Sequence, residues 1–265
     1  MCHLPDMLPN STPLHLFYNS VEMKKYLLAT AIVFITIATH AQQKTLPRID
    51  QFADFTVTIG QSQGSVAASY VYNWQLGKKK KWEAGLGVRY TSYIGTKRDF
   101  ITAPGRLSRT TTTPFVIVFA GQKTENWDTL TVQRPFVNSI NLSANFGYHF
   151  SSKWEAGFNI DLVGFSFGRI SSAILTSNGI TRTEPSAKPA SFNVLLTGDN
   201  DYGSLNSEFF LKYKWADKWG IKAVYQFYFA EYKTNTIYQT APDGSQVDRF
   251  RNKVNALGLG VSYHF

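Results

Sequence analysis

From Ile140 to Phe150 the chain changes polarity at every step. Ile140, Leu142, Ala144, Phe146, Tyr148 and Phe150 take one set of alternate positions, and Asn141, Ser143, Asn145, Gly147 and His149 take the other. A two-residue period sends successive side chains to opposite faces of a β-strand, so this stretch has one apolar and one polar face. The pattern recurs. Val66, Ala68, Tyr70, Tyr72, Trp74 and Leu76 alternate with Ser65, Ser69, Asn73 and Gln75, and the last residues set Leu257, Leu259, Val261, Tyr263 and Phe265 against Gly258, Gly260, Ser262 and His264. Soluble strands usually run about five or six residues; these are longer, and a tilted strand needs roughly 9–11 residues to cross a bilayer.

Eight such segments are read from the sequence: 52–60, 65–76, 82–94, 136–150, 154–168, 205–215, 219–231 and 251–265. The fifth loses its pattern near Val163 to Phe167, where a bulge or an extension is expected. Residues 77–81, 151–153 and 216–218 are tight turns. Residues 96–135, 171–203 and 232–250 are long connections rich in Ser, Thr, Asn, Gly, Pro and charge. With both ends of the chain on one side, all three tight turns fall on that side. An antiparallel eight-stranded barrel closes with this topology.

Ahead of these segments, Met23-Lys24-Lys25, the apolar run from Tyr26 to Ala38 and the small-x-small sequence Thr39-His40-Ala41 have the order of a cleaved signal peptide. Residues 1–22 are read as an upstream extension, 23–41 as the signal peptide and 42–265 as the exported barrel. Cys2 is the only cysteine, so the exported part has no disulfide or thiolate site. The formal charge of +9 would by itself allow an anionic partner. Export makes nucleic acid an unsuitable one, and the four lysines Lys78 to Lys81 read as solvated turn residues.

The segment ends carry a second pattern. Tyr72-Asn73-Trp74, Tyr148-His149-Phe150, Tyr213-Lys214-Trp215 and Tyr263-His264-Phe265 are each aromatic-x-aromatic beside a tight turn or the chain end. Trp82, Trp154 and Trp219 open the segments that follow the turns. Aromatic rings with a polar edge favour the boundary between acyl chains and headgroups, so these residues are expected to form one girdle. On the opposite faces stand Asp54, Glu83, Arg89, Glu155, Asp161, Glu208, Lys212, Lys214 and Lys222. Charge gathered on one face must be hydrated or paired, and the interior of an eight-stranded barrel is just wide enough for side chains to fill. A lumen filled with ion pairs follows, without an open pore.

With its signal peptide, its alternating segments and the terminal "LGLGVSYHF", the sequence resembles the small eight-stranded outer-membrane β-barrels of Gram-negative bacteria. The resemblance implies that Gly258, Val261, Tyr263 and Phe265 form the signal read by the barrel-assembly machinery. It also implies outer-membrane lipid and lipopolysaccharide as surroundings, with an extracellular or envelope partner contacted through the long connections. Family members include adhesins, membrane anchors and lipid A enzymes. The role read here is a non-enzymatic one in surface interaction or envelope integrity. A lipid-modifying enzyme of the deacylase or acyltransferase type, or a narrow channel, is the alternative.

Little else suggests chemistry. His149 and His264 occupy equivalent slots before an aromatic strand end and read as polar filling; the sequence shows no His–Ser pair of the deacylase kind. Two histidines and no cysteine in residues 42–265 point away from zinc, and no cofactor is implied. Asp199 and Asp201 read as an Asx-rich turn in preference to a calcium loop. Lys97, Arg98, Arg106 and Arg109 in the longest connection read equally as a solvated loop or as contacts for lipopolysaccharide phosphates.

Overall fold

The computed structural model describes residues 49–265. The signal-peptide and extension readings therefore lie outside the described residues. The described chain is all-β, with fifteen antiparallel strands: β1 (Ile49–Gly60), β2 (Gln63–Leu76), β3 (Trp82–Gly95), β4 (Lys97–Thr102), β5 (Thr129–Gln133), β6 (Phe136–His149), β7 (Trp154–Gly168), β8 (Ser171–Ser177), β9 (Ile180–Pro189), β10 (Phe192–Val194), β11 (Leu205–Lys214), β12 (Trp219–Lys233), β13 (Gln239–Thr240), β14 (Gln246–Val247) and β15 (Arg249–His264). Thirteen belong to one sheet, and β13 and β14 form a separate ribbon. The eight strands read from the sequence are an undercount. The other seven all fall in stretches read as long connections, because six are short and the ten-residue β9 carries Pro185 and Pro189.

The long strands pair in a ring: β1–β2–β3–β6–β7–β11–β12–β15 and back to β1. Following direct partners from Ile49 passes through Trp74, Ala84, Phe146, Phe158, Phe209, Tyr225 and Leu257. The path returns to the first strand at Ile59, ten residues beyond its start. That stagger over eight strands tilts them by about 40° and gives a ring radius of about 8 Å. The register of β6 against β7 slips between Leu142 and Ser143, opposite Val163 and Asp161, so that Leu162 is the bulged residue.

A second ring sits beyond the first and shares two of its strands. β4 joins β15 through Thr102↔Phe250, then pairs with β5; β5 pairs with β8, β8 with β9, and β9 with β12 through Tyr232↔Pro189. This ring encloses an apolar core that includes Phe100, Leu130, Val132, Leu175, Tyr232 and Phe250. Pro185 lies where β8 and β9 slip register, between the pairs Ala173↔Glu184 and Ser171↔Ala187. A bulge needs no ladder N–H at that point, so proline fits. The polar-looking connections of the sequence thus fold into a closed outer domain.

Candidate functional site

The two faces of the long ring are inverted relative to a soluble protein. Phe55, Val57, Tyr70, Val88, Ile140, Phe209, Ile221, Tyr225, Leu257 and Leu259 are exposed on the outside. Inside, Asp54, Glu83, Arg89, Glu155, Asp161, Glu208, Lys212 and Lys222 are buried, and Lys214 is half-buried. Gly157 also faces inward. A Cβ there would collide with the Phe210 ring, so the absent side chain leaves room for an aromatic plug.

Each buried charge has neighbours supplied by strands distant in sequence. Arg89 on β3 donates through Nε (2.9 Å) and Nη2 (2.6 Å) to Asp161 Oδ1 on β7, and through Nη1 to Asn159 Oδ1. Asp161 Oδ2 also accepts from Asn141 Nδ2 at 2.7 Å and from the Asn206 backbone at 2.9 Å. Lys222 Nζ bridges Asp54 (2.9 Å) and Glu208 (3.1 Å). Lys212 sits 3.6 Å from the Phe52 ring centroid, with Asp54 at 3.9 Å and Glu155 at 3.6 Å. Above this layer Tyr93 stacks on Tyr228 with ring centroids 5.4 Å apart. The Tyr93 hydroxyl donates to Gln63, and Asn252 donates to the same Gln63 oxygen. These side chains project into the lumen at successive levels.

At the short-turn end, Trp82 pairs with Tyr148, Trp154 with Tyr213 and Trp219 with Tyr263, both in register and ring to ring, with centroids 4.7, 4.8 and 5.0 Å apart. Tyr72 and Trp74, Tyr148 and Phe150, and Tyr263 and Phe265 make further edge contacts. Trp215 is exposed nearby. Each lysine-tryptophan repeat therefore places its indole against the tyrosine that closes an adjacent strand. Gly258 and Val261 lie on β15, where Gly258 pairs with Thr58 and Val261 with Phe55.

Neither histidine meets a serine. His149 Nε2 bonds Glu83 Oε1 at 2.6 Å, and His264 Nδ1 bonds Asp50 Oδ1 at 3.0 Å. Glu83, His149 and Glu155 bring one ligand-type atom each to within 4.8 Å of one another, a convergence the sequence reading did not foresee. The signal was the twice-repeated "KWEAG", which sets Glu83 and Glu155 one residue past the strand-opening Trp82 and Trp154 at the same rim.

In the outer domain, Asp201 accepts the Leu196 and Thr197 N–H groups at 2.7 and 2.8 Å, reaching back four and five residues where an Asx turn would reach two residues forward. Burial raises its carboxyl above the ordinary range. Asp199 instead binds Lys253 at 2.6 Å and Arg109. Burial opposes its ionisation, but hydrogen bonds and charge from Lys253 and Arg109 hold the carboxyl below its usual value. Arg106 pairs with Asp243, and Arg98 donates to the Gln61 carbonyl, while Lys97 remains exposed. Two of the four cations suggested for anion contact are thus engaged by carboxylates of the chain itself.

No protein-family model and no curated protein matches the chain. Among solved structures it is similar to the attachment invasion locus protein Ail of Yersinia pestis, at TM-score 0.35 and 10% identity over 83% of this chain and 100% of that one. It is similar to Neisserial surface protein A at TM-score 0.31 and 10% identity, over 82% and 96%. It is also similar to a major outer membrane protein of Thermus thermophilus at TM-score 0.36 and 12% identity, over 82% and 99%. Likeness at this level carries nothing about activity.

Proposed function

We propose that the chain is an outer-membrane protein whose eight-stranded ring spans the bilayer, with a closed lumen and a non-enzymatic surface or envelope role. One observation carries the reading: the ring buries its charges and exposes its aliphatic and aromatic side chains. Soluble monomers rarely expose contiguous apolar patches larger than a few hundred Å², whereas lipid makes that outward face the stable one. The Trp–Tyr pairs at the short-turn end then form the girdle at the periplasmic boundary, and the outer domain stands on the cell surface. Phe265, Tyr263, Val261 and Gly258 serve assembly, as the family resemblance implies. Contact with lipopolysaccharide or a partner belongs to the outer domain, a reading supported by the paired and hydrogen-bonded side chains that project into the lumen.

Single cysteines test the placement, because the exported chain has none of its own. In reconstituted vesicles a spin label at V57C or L259C should collide with oxygen far more than with a water-soluble nickel complex. A label at S245C in the outer domain should show the reverse. Aqueous behaviour at V57C and L259C would overturn the membrane reading.

A further inference from the structure

The lumen carries an unbalanced set of charges. Asp50, Asp54, Glu83, Glu155, Asp161 and Glu208 face Arg89, Lys212, Lys214 and Lys222, which is six carboxylates against four permanent cations. Near its middle Arg89 pairs with Asp161 and Lys222 with Glu208 and Asp54, leaving only Asp54 Oδ1 of these carboxylates without a hydrogen-bond partner. The shortfall lies at the short-turn mouth. There Glu155 is 4% exposed, yet its Oε1 has no hydrogen-bond partner. Lys212 stands 3.6 Å from Glu155 Oε2 and its ammonium also lacks a hydrogen-bond partner. A buried carboxylate that has a cation nearby but no hydrogen bond to one oxygen is only partly compensated, and that is costly.

We propose that Glu83, His149 and Glu155 bind one divalent transition-metal ion, of which zinc is the representative. The donor set is one imidazole nitrogen and two carboxylate oxygens, which suits zinc and its neighbours; calcium takes six to eight oxygens. Ligand atoms bound to one zinc ion at tetrahedral angles lie roughly 3.4 Å apart. The three atoms, now within 4.8 Å of one another, need to close by up to about 1.4 Å, within reach of glutamate side-chain rotation. Support for Glu83 is already built: Asn73 Nδ2 and Gln75 Nε2 donate to it at 3.0 and 3.1 Å. Outer donors of this kind orient a ligating carboxylate. Gly147, the register partner of Glu83, has no side chain to fill the space beside Glu155 Oε1. The His149 side chain is 26% exposed, which gives an ion a path from solvent. His264, the equivalent residue at the end of β15 across the ring, has a single carboxylate partner and completes no such triad among the described residues. The proposal does not depend on the membrane placement.

The test uses the chain purified without a polyhistidine tag and folded in detergent, titrated with Zn²⁺ alone. One equivalent should bind, and Co²⁺ should give a visible absorption band that Zn²⁺ displaces. H149Q and E155Q should each weaken binding at least tenfold, while H264Q should leave it unchanged. On the unaltered protein, Zn²⁺ should protect His149 more than His264 from diethylpyrocarbonate, which needs no variant to fold. Absence of saturable binding, equal protection of the two histidines, or loss of binding in H264Q would overturn the site.

Discussion

Glu184 shows how much one side chain can decide. It is fully buried on β9. Its Oε2 accepts the backbone N–H groups of Asn235, Thr236 and Ile237 at 3.0, 2.8 and 3.2 Å, while Oε1 accepts that of Ser186 at 2.9 Å. Burial alone would raise its pKa from 4.5, but these donors bring it down to about 2. Because the folded value is the lower one, the stabilisation is complete above the unfolded value and fades as pH falls from about 4.5 toward 2. Protection of the 235–237 amides, corrected for intrinsic exchange rates, should fall across that window. E184Q should weaken the local fold by about 2 kcal/mol and flatten the pH response. An unchanged acid response in E184Q would show that another group is responsible. Nothing in the run "TRTEPSAKP" announces such a role, since the donors come from a segment some fifty residues later.

At the scale of elements, the long strands were legible because their period is local. Ile140 to Phe150 alternates whatever it pairs with. The bulge at Leu162 lies beside the stretch where the pattern fades. The strands β4, β5, β8 and β9 were not legible: "TLTVQ" and "SSAILTS" are too short to separate from loop, and Pro185 and Pro189 argue against a strand on their own terms. They are strands because β12 and β15 extend past the first ring and offer free edges on which a second ring closes. Packing within the first ring is equally specific. G157A should displace Phe210 from the lumen and cost roughly 1–3 kcal/mol, readable as a lower unfolding temperature in detergent. If G157A is neutral, Phe210 does not plug the ring at that level.

For the whole molecule, under the proposed function the polar filling of the long ring and the apolar core of the outer ring block passage in series. In planar bilayers the protein should show no stepwise conductance, and it should still show none when residues 97–133 are replaced by a short linker, because the Arg89–Asp161 layer remains. Discrete conductance from the intact chain would return the channel reading to first place. An unheated sample should also migrate differently from a boiled one on denaturing gels, as a ring of this kind resists detergent until heated.

The sequence by itself determined the strand class, the two unlike faces and the aromatic residues at strand ends, because alternation and position beside a turn are properties of adjacent residues. It also placed Glu83, Arg89, Glu155, Asp161, Glu208, Lys212 and Lys222 on the polar face. Which of them meet was decided only by tertiary structure. The registers of β3 on β6 and of β6 on β7 set Arg89 against Asp161 and bring Glu83, His149 and Glu155 to one rim. The β3–β6 register sets Arg89 opposite Asn141 and Glu83 opposite Gly147, residues more than fifty apart in the chain, and no local pattern encodes it.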